Sequence, residues 1–186
     1  MSKSIALIII PLFSFSYAFS QVPSTYPEIG KLCPDFHFNE VCYYSKKSIS
    51  LKDFKGQWLM LDFWNRYCSV CLGRMPGTDN LQKKFPKQVQ FLLVGYTGSR
   101  YTHRSDDKPI HELYGKLRER LHIDLPIAYD SLLFHRFDIG ACPYIVIVDP
   151  KGIVRGITTQ LNEQNIKDLL SNEIPDLDKA VNRKGL

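Results

Sequence analysis

The 186-residue chain lacks most of the signatures that announce a particular chemistry. It has no Gly-rich phosphate loop, so the backbone cradle of a nucleotide-binding site is missing. It has no serine triad and no carboxylate pair at catalytic spacing. The five histidines (His37, His103, His111, His122 and His135) are dispersed with no His-x-x-x-His pair, so the two-histidine helical zinc motif is absent. Lys and Arg outnumber Asp and Glu by 24 to 19, but they are scattered and form no stripe, so nucleic acid is not an expected partner. No internal repeat or low-complexity tract occurs. No unbroken apolar run reaches the ~20 residues of a membrane-spanning helix. What remains, 44% hydrophobic and 23% charged residues, has the balance of a soluble globular protein of one domain plus extras.

The first twenty residues differ from the rest. Lys3 gives a positive start, an apolar core runs from Ile5 to Phe13, and a weaker one reaches Phe19. Pro11 interrupts it. Ala18 and Ser20 are small residues at the two positions a signal peptidase reads. Residues 1–20 are therefore expected to be a signal peptide cleaved before Gln21, in preference to an uncleaved anchor, and the protein is expected to be exported, into a periplasm. No cysteine closely follows the apolar core, which argues against a lipid anchor. Residues 21–32 form a Pro/Ser/Gly-containing lead-in, residues 33–170 the folded domain and residues 171–186 a charged, loose tail.

The cysteines are few but well placed: Cys33, Cys42, Cys68, Cys71 and Cys142. In an exported protein disulfides persist. Cys68 and Cys71 form a Cys-x-x-Cys pair, which alone is also half of a zinc site. Its context narrows the choice. The run Trp58, Leu59, Met60, Leu61, Phe63, Trp64 predicts a buried strand with Asp62 as its one charge. Val70, Leu72, Met75 and Leu81 follow in a helix-like stretch. Cys68 thus falls at a strand-to-helix junction, where unpaired N–H groups and the helix dipole favour an anion. That anion is the thiolate, the form that attacks disulfides. Cys71, one turn on, is suited to closing the ring. Cys33 and Cys42 could form a structural bridge, although spacing alone cannot establish one.

Along the chain, residues 36–40 and 41–44 suggest a strand pair or irregular extended segments. Strands are predicted over 57–63, 89–95, 144–148 and 153–157, with extended chain at 125–128. Helices are predicted over 69–85, 110–121 and 162–170, with a short one capped by Ser131. Pro76 should kink the first. Residues 97–109 form a polar loop with a possible partner-contacting role. The order β-α-β-α-β-β-α predicts an α/β fold, a central mixed sheet flanked by helices.

This order, the Cys-x-x-Cys at the first helix start and the run Ala141-Cys142-Pro143-Tyr144 before the hairpin resemble the thioredoxin fold. Pro34-Asp35-Phe36, the segment Leu51-Lys52-Asp53-Phe54-Lys55-Gly56 and the pair Phe63-Trp64 resemble its exported TlpA/ResA-like thiol–disulfide oxidoreductases. The likeness covers residues 30–170. It implies an attacking Cys68, a resolving Cys71, a helix kink at Pro76 and a cis Pro143 that presents backbone to a substrate strand. Asp62, six residues before Cys68, matches a buried acid that exchanges a proton with Cys71. Tyr67, Cys142 and Pro143 would contact substrate. The implied partners are protein thiols and disulfides and a membrane-bound or exported electron donor, with no cofactor, and the implied role is reduction.

The departures from this pattern are Ser69-Val70 between the cysteines, where a proline is frequent, Tyr67 in place of tryptophan, and Cys142 before Pro143. An alternative is a soft-metal (copper or zinc) binding or delivery module using Cys68, Cys71 and Cys142, with His135 as a fourth ligand. A peroxidase on the same fold would require Thr-x-x-Cys, and here Asn65 stands three residues before Cys68.

Overall fold

The computed structural model describes residues 25–99 and 104–183. The expected signal, residues 1–20, lies outside the described residues, as do residues 21–24 of the lead-in and residues 100–103 of the expected loop. Among the described residues no helix is long and apolar enough to cross a membrane.

The strands are β1 (His37–Phe38), β2 (Val41–Cys42), β3 (Ile49–Ser50), β4 (Trp58–Trp64), β5 (Val89–Tyr96), β6 (Ile127–Asp130), β7 (Tyr144–Val148) and β8 (Val154–Thr158). The helices are α1 (Ser69–Lys84), α2 (Asp107–Leu121), α3 (Leu132–Arg136) and α4 (Glu163–Leu170), with a 3-10 turn at Leu51–Phe54. Six strands form one sheet in the order β2-β6-β5-β4-β7-β8. β4, β5 and β6 run parallel, while β7, β8 and β2 are antiparallel to their neighbours. The predicted α/β architecture, a mixed central sheet flanked by helices, is the observed one.

β4 lies in the middle because its sequence suits nothing else. A strand buried on both faces needs a near-continuous apolar run, and WLMLDFW supplies one. Side chains alternate across the sheet. Leu59, Leu61 and Phe63 enter a core with Leu92, Val94, Val146, Val148 and the α3 residues Leu133 and Phe134. Trp58, Met60 and Trp64 enter the other, with Cys71 and Met75 of α1, Tyr114 of α2 and Ile166 of α4. Three helices therefore cover one face, and α3 with the β1–β3 pair covers the other. Each fully buried Leu or Phe contributes about 1.5–3 kcal/mol.

The residue pairs expected at 36–44 are rearranged. The first extended piece, β1, pairs with β3, and β2 crosses to pair with β6 at the sheet edge. Each places one apolar residue in a core, Phe38 and Val41, and a pairing between the two would have left these edges unmet. Helix α2 begins three residues earlier than the predicted 110, with Asp107 in its first turn favouring the dipole. Within the expected tail, residues 177–183 pack against β8 and the loop before β7, while residues 171–174 are exposed.

Candidate functional site

The end of β4 delivers the chain to the start of α1 through Asn65, Arg66 and Tyr67. Asn65 shapes this turn: its side-chain oxygen accepts from Tyr67 N–H at 2.9 Å, and its carbonyl accepts from Cys68 N–H at 3.0 Å. Arg66 stacks 4.3 Å above the Tyr67 ring and donates to the Tyr67 hydroxyl. Its Nε donates to Asp106 Oδ1 at 2.8 Å, an ion pair to a buried carboxylate at the head of α2.

Cys68 is the N-cap of α1. Cys68 and Cys71 form a disulfide, with Cα atoms 5.3 Å apart. The Cys71 amide donates to Cys68 Sγ at 3.2 Å. No acidic residue occupies the first turn of α1. A thiolate released at Cys68 would face an N–H donor and the positive end of the dipole, with no acidic residue in that first turn. Cys71 is buried, and Cys68 is half-buried beside it. Pro76 lies inside α1, which continues through it.

Asp62 lies on the α1 side of β4, between Met60 and Trp64 in the alternation. It keeps partial contact with solvent. Burial nevertheless pushes its carboxyl up to about 7, against the attraction of the Arg74 guanidinium. Arg74, one turn beyond Cys71 on α1, also donates to the Thr159 carbonyl. Sequence reasoning passed over Arg74. Its i+3 position from Cys71 was the available signal, since such residues share a helix face.

The Cys142-Pro143 peptide bond is cis, as the resemblance implied. Cys142 is half-buried at the end of the sheet, where it touches both cores, one of which contains Cys68 and Cys71. It lines a small cavity with Asn65, Tyr96, Phe134, Ile139 and Arg183. Cys33 and Cys42 are not bridged. The first belongs to one core and the second packs against the other, so the sheet lies between them. Burial pushes the Cys33 thiol up to about 12, and it donates to Pro34 C=O at 3.6 Å.

Among the described residues no group of three or more His, Cys, Asp or Glu side chains is arranged to hold a metal ion. The suggested fourth ligand, His135, instead contacts Tyr96 and Arg183. The metal-binding alternative therefore gains no geometric support.

The chain matches the AhpC/TSA family over residues 29–157. Among curated proteins it is similar to thiol-disulfide oxidoreductase ResA of Geobacillus thermodenitrificans, 24% identical over 179 residues covering 94% of this chain and 95% of that one. It is 26% identical to Bacillus subtilis ResA over 146 residues, covering 76% and 74%. Among solved structures, the exposed lipoprotein thioredoxin of Streptococcus pneumoniae superposes with a TM-score of 0.59 at 23% identity, covering 74% of this chain and 98% of that one. The thioredoxin domain of a Bacteroides vulgatus thiol-disulfide oxidoreductase gives 0.58 at 20% identity, covering 80% and 99%. The fold, the cysteine pair at disulfide distance and these relatives lead to one assignment: the chain belongs to the AhpC/TSA family, as a thioredoxin-like thiol–disulfide oxidoreductase.

Proposed function

We propose that the protein is exported and acts as a reductant of disulfides in protein substrates. The observation that supports disulfide exchange at this pair is the Cys71 amide directed at Cys68 Sγ on the first turn of α1; the direction, reduction, rests on the likeness to the TlpA/ResA-like branch. In the dithiol form, the Cys68 thiolate attacks one sulfur of a substrate disulfide. An S–S bond forms between Cys68 and the substrate, and the other substrate sulfur leaves as a thiolate. Asp62 takes the proton of Cys71, and the Cys71 thiolate then attacks Cys68 Sγ. This forms the Cys68–Cys71 disulfide and expels the second substrate thiolate. Two electrons pass from the protein to the substrate, and the pair must then be reduced by a membrane-bound or exported donor.

A protein substrate suits the surroundings of Cys68. Tyr67 is 43% and Val70 57% exposed, which places apolar surface beside the reactive group. Pro143 and Cys142 supply the backbone edge against which an extended substrate segment lies. Export rests on Lys3, the apolar residues 5–13 and the Ala18-x-Ser20 pattern.

The test is a redox titration of the chain from Gln21 onward in glutathione and dithiothreitol buffers, with thiols counted by alkylation and mass. The expected result is a two-electron transition lost in Cys68→Ala, with a midpoint near roughly −270 mV and reduction of insulin. A midpoint near roughly −120 mV, with ready oxidation of reduced substrates, would reverse the direction.

A further inference from the structure

The family match ends at residue 157, yet a later segment is tied to the loop that leads into Pro143. The path begins at β8. Thr159 N–H donates to Asp178 C=O at 3.3 Å, and Thr158 pairs with Lys179 in an isolated antiparallel bridge. The chain then crosses to the loop between α3 and β7. There the N–H groups of Gly140 and Ala141 both donate to Val181 C=O, at 3.1 and 3.3 Å. Ile139 bridges with Asn182, and Arg183 N–H donates to Asp138 C=O at 2.8 Å. The Arg183 side chain adds two more ties: its Nε donates to Ile139 C=O at 3.1 Å, and its Nη1 lies 2.8 Å from His135 Nδ1. It also lines the small cavity that holds Asn65 and Cys142.

Gly140 marks how close this approach is. A Cβ there would lie 2.7 Å from the Asn182 carbonyl carbon and oxygen and from the Val181 oxygen. These are backbone atoms, which cannot swing aside as a side-chain tip can. The Gly140 backbone is outside the left-handed region, so what excludes a side chain is the segment packed on it.

We propose that residues 179–183 are a positioning strap: they hold the loop 139–143 in place and thereby set how tightly a protein substrate is held beside Cys68. The proposal rests on the reading above that this loop receives the substrate. Gly140 is buried, so its backbone N–H needs a partner, and the strap supplies one to it and to the N–H of the exposed Ala141 beside it. Without it those groups turn to water and the loop gains conformations that substrate must then remove. Ordering the equivalent of about one backbone residue at binding weakens affinity by about five- to thirtyfold. The cysteine pair, held by α1, is not attached to the strap, so the loss falls on KM more than on kcat.

The experiment compares four chains: full length, a chain stopped after Asp178, Gly140→Ala, and the two changes together. Each is assayed for reduction of a peptide disulfide with dithiothreitol as electron source, and Cys142 alkylation is timed in the oxidised protein. The stopped chain is expected to show KM raised about tenfold, a smaller change in kcat and faster Cys142 alkylation. Gly140→Ala should raise KM in the full chain and do nothing further in the stopped chain, where the clashing carbonyls are gone. Unchanged KM and alkylation in a folded stopped chain would overturn the proposal. So would an equal effect of Gly140→Ala with and without the strap. Should the stopped chain fail to fold, Gly140→Ala and Arg183→Ala in full-length protein carry the same KM criterion. A full-length chain that reduces no disulfide defeats the parent reading instead, and Cys142 alkylation then tests the strap alone.

Discussion

The strands β4 and β7 each have two ends, and a cysteine lies near both pairs of ends. Where β4 finishes and β7 begins are Cys68, Cys71 and Cys142. Where β4 begins and β7 finishes is Cys33, beside Leu59 and Val148. The two ends of β4 are about 20 Å apart. The same thiol group meets opposite surroundings. Cys33 is enclosed by Phe36, Phe38 and other apolar side chains, and burial disfavours its thiolate. Cys68 caps a helix and receives an amide N–H. Reactivity in this molecule thus belongs to the position along the strand pair and not to the residue type. The strand-to-helix junction offers an N–H donor to its sulfur, whereas at the opposite end the thiol lies among core side chains beside a cavity lined by Leu51, Phe54 and Leu59.

The comparison breaks most directly at Cys68. Cys68→Ala should lower disulfide exchange by about 10³-fold or more, whereas Cys33→Ala should stay within about twofold of wild type. An insulin-reduction assay of both variants decides it, and equal losses would mean that Cys33 takes part. Alkylation rates sharpen the same contrast. With its thiol pushed up to about 12, Cys33 should react with iodoacetamide at pH 8 about 10³-fold more slowly than an ordinary exposed cysteine, until denaturant is added. Peptide mass mapping over time measures this.

Asp62 offers a third, smaller effect. Asp62→Asn should slow turnover by about 10²-fold and remove the rise in rate that the ionised carboxylate gives as pH passes about 7. A pH–rate profile that keeps its shape in the variant would assign the proton to another group. The same carboxyl predicts a stability change of opposite sense. Its folded-state value lies above the ordinary aspartate range, so the folded state holds the proton more tightly than the unfolded one. Stability therefore falls as pH rises from about 4 to about 7 and falls no further beyond. Asp62→Asn removes the cost of the buried charge, so the variant should be more stable than wild type at pH 8, by about 1–3 kcal/mol, with a gain about one third as large at pH 5. Urea titrations at the two pH values measure it.

The reactive end was legible in the chain because its cause is local. A doubly buried strand, a junction and a Cys-x-x-Cys occupy consecutive residues, and the Cys142-Pro143 run sits directly before the most apolar strand. Both the fold class and the cysteine pair follow from such runs. The failures have the opposite character. Partners for β1 and β2 were chosen by long-range pairing, which no two-residue strand can announce. Arg66 reaches Asp106 across 40 positions, and Arg74 reaches Thr159 across 85. Residues 177–183 look like a charged tail because their ties are mostly backbone hydrogen bonds, which leave no mark on composition. Gly140 was a faint clue, since glycine is required wherever two backbones touch.

The edges of the sheet carry a final consequence. An open edge strand is a template for any extended chain that drifts past. Here one outer strand, β2, is two residues long. The other, β8, is flanked by bridges at both ends, Leu32 with Ile153 and Thr158 with Lys179. An enzyme that binds extended segments of protein substrates, as proposed above, would expose such edges to them at every turnover. With both flanks blunted, a visiting strand has little purchase there, and on the proposed reading the backbone next to Pro143 is where a substrate segment would pair. The same closure that disfavours edge-to-edge pairing between copies of the chain would, on the proposed reading, favour approach of a substrate near the sulfur atoms.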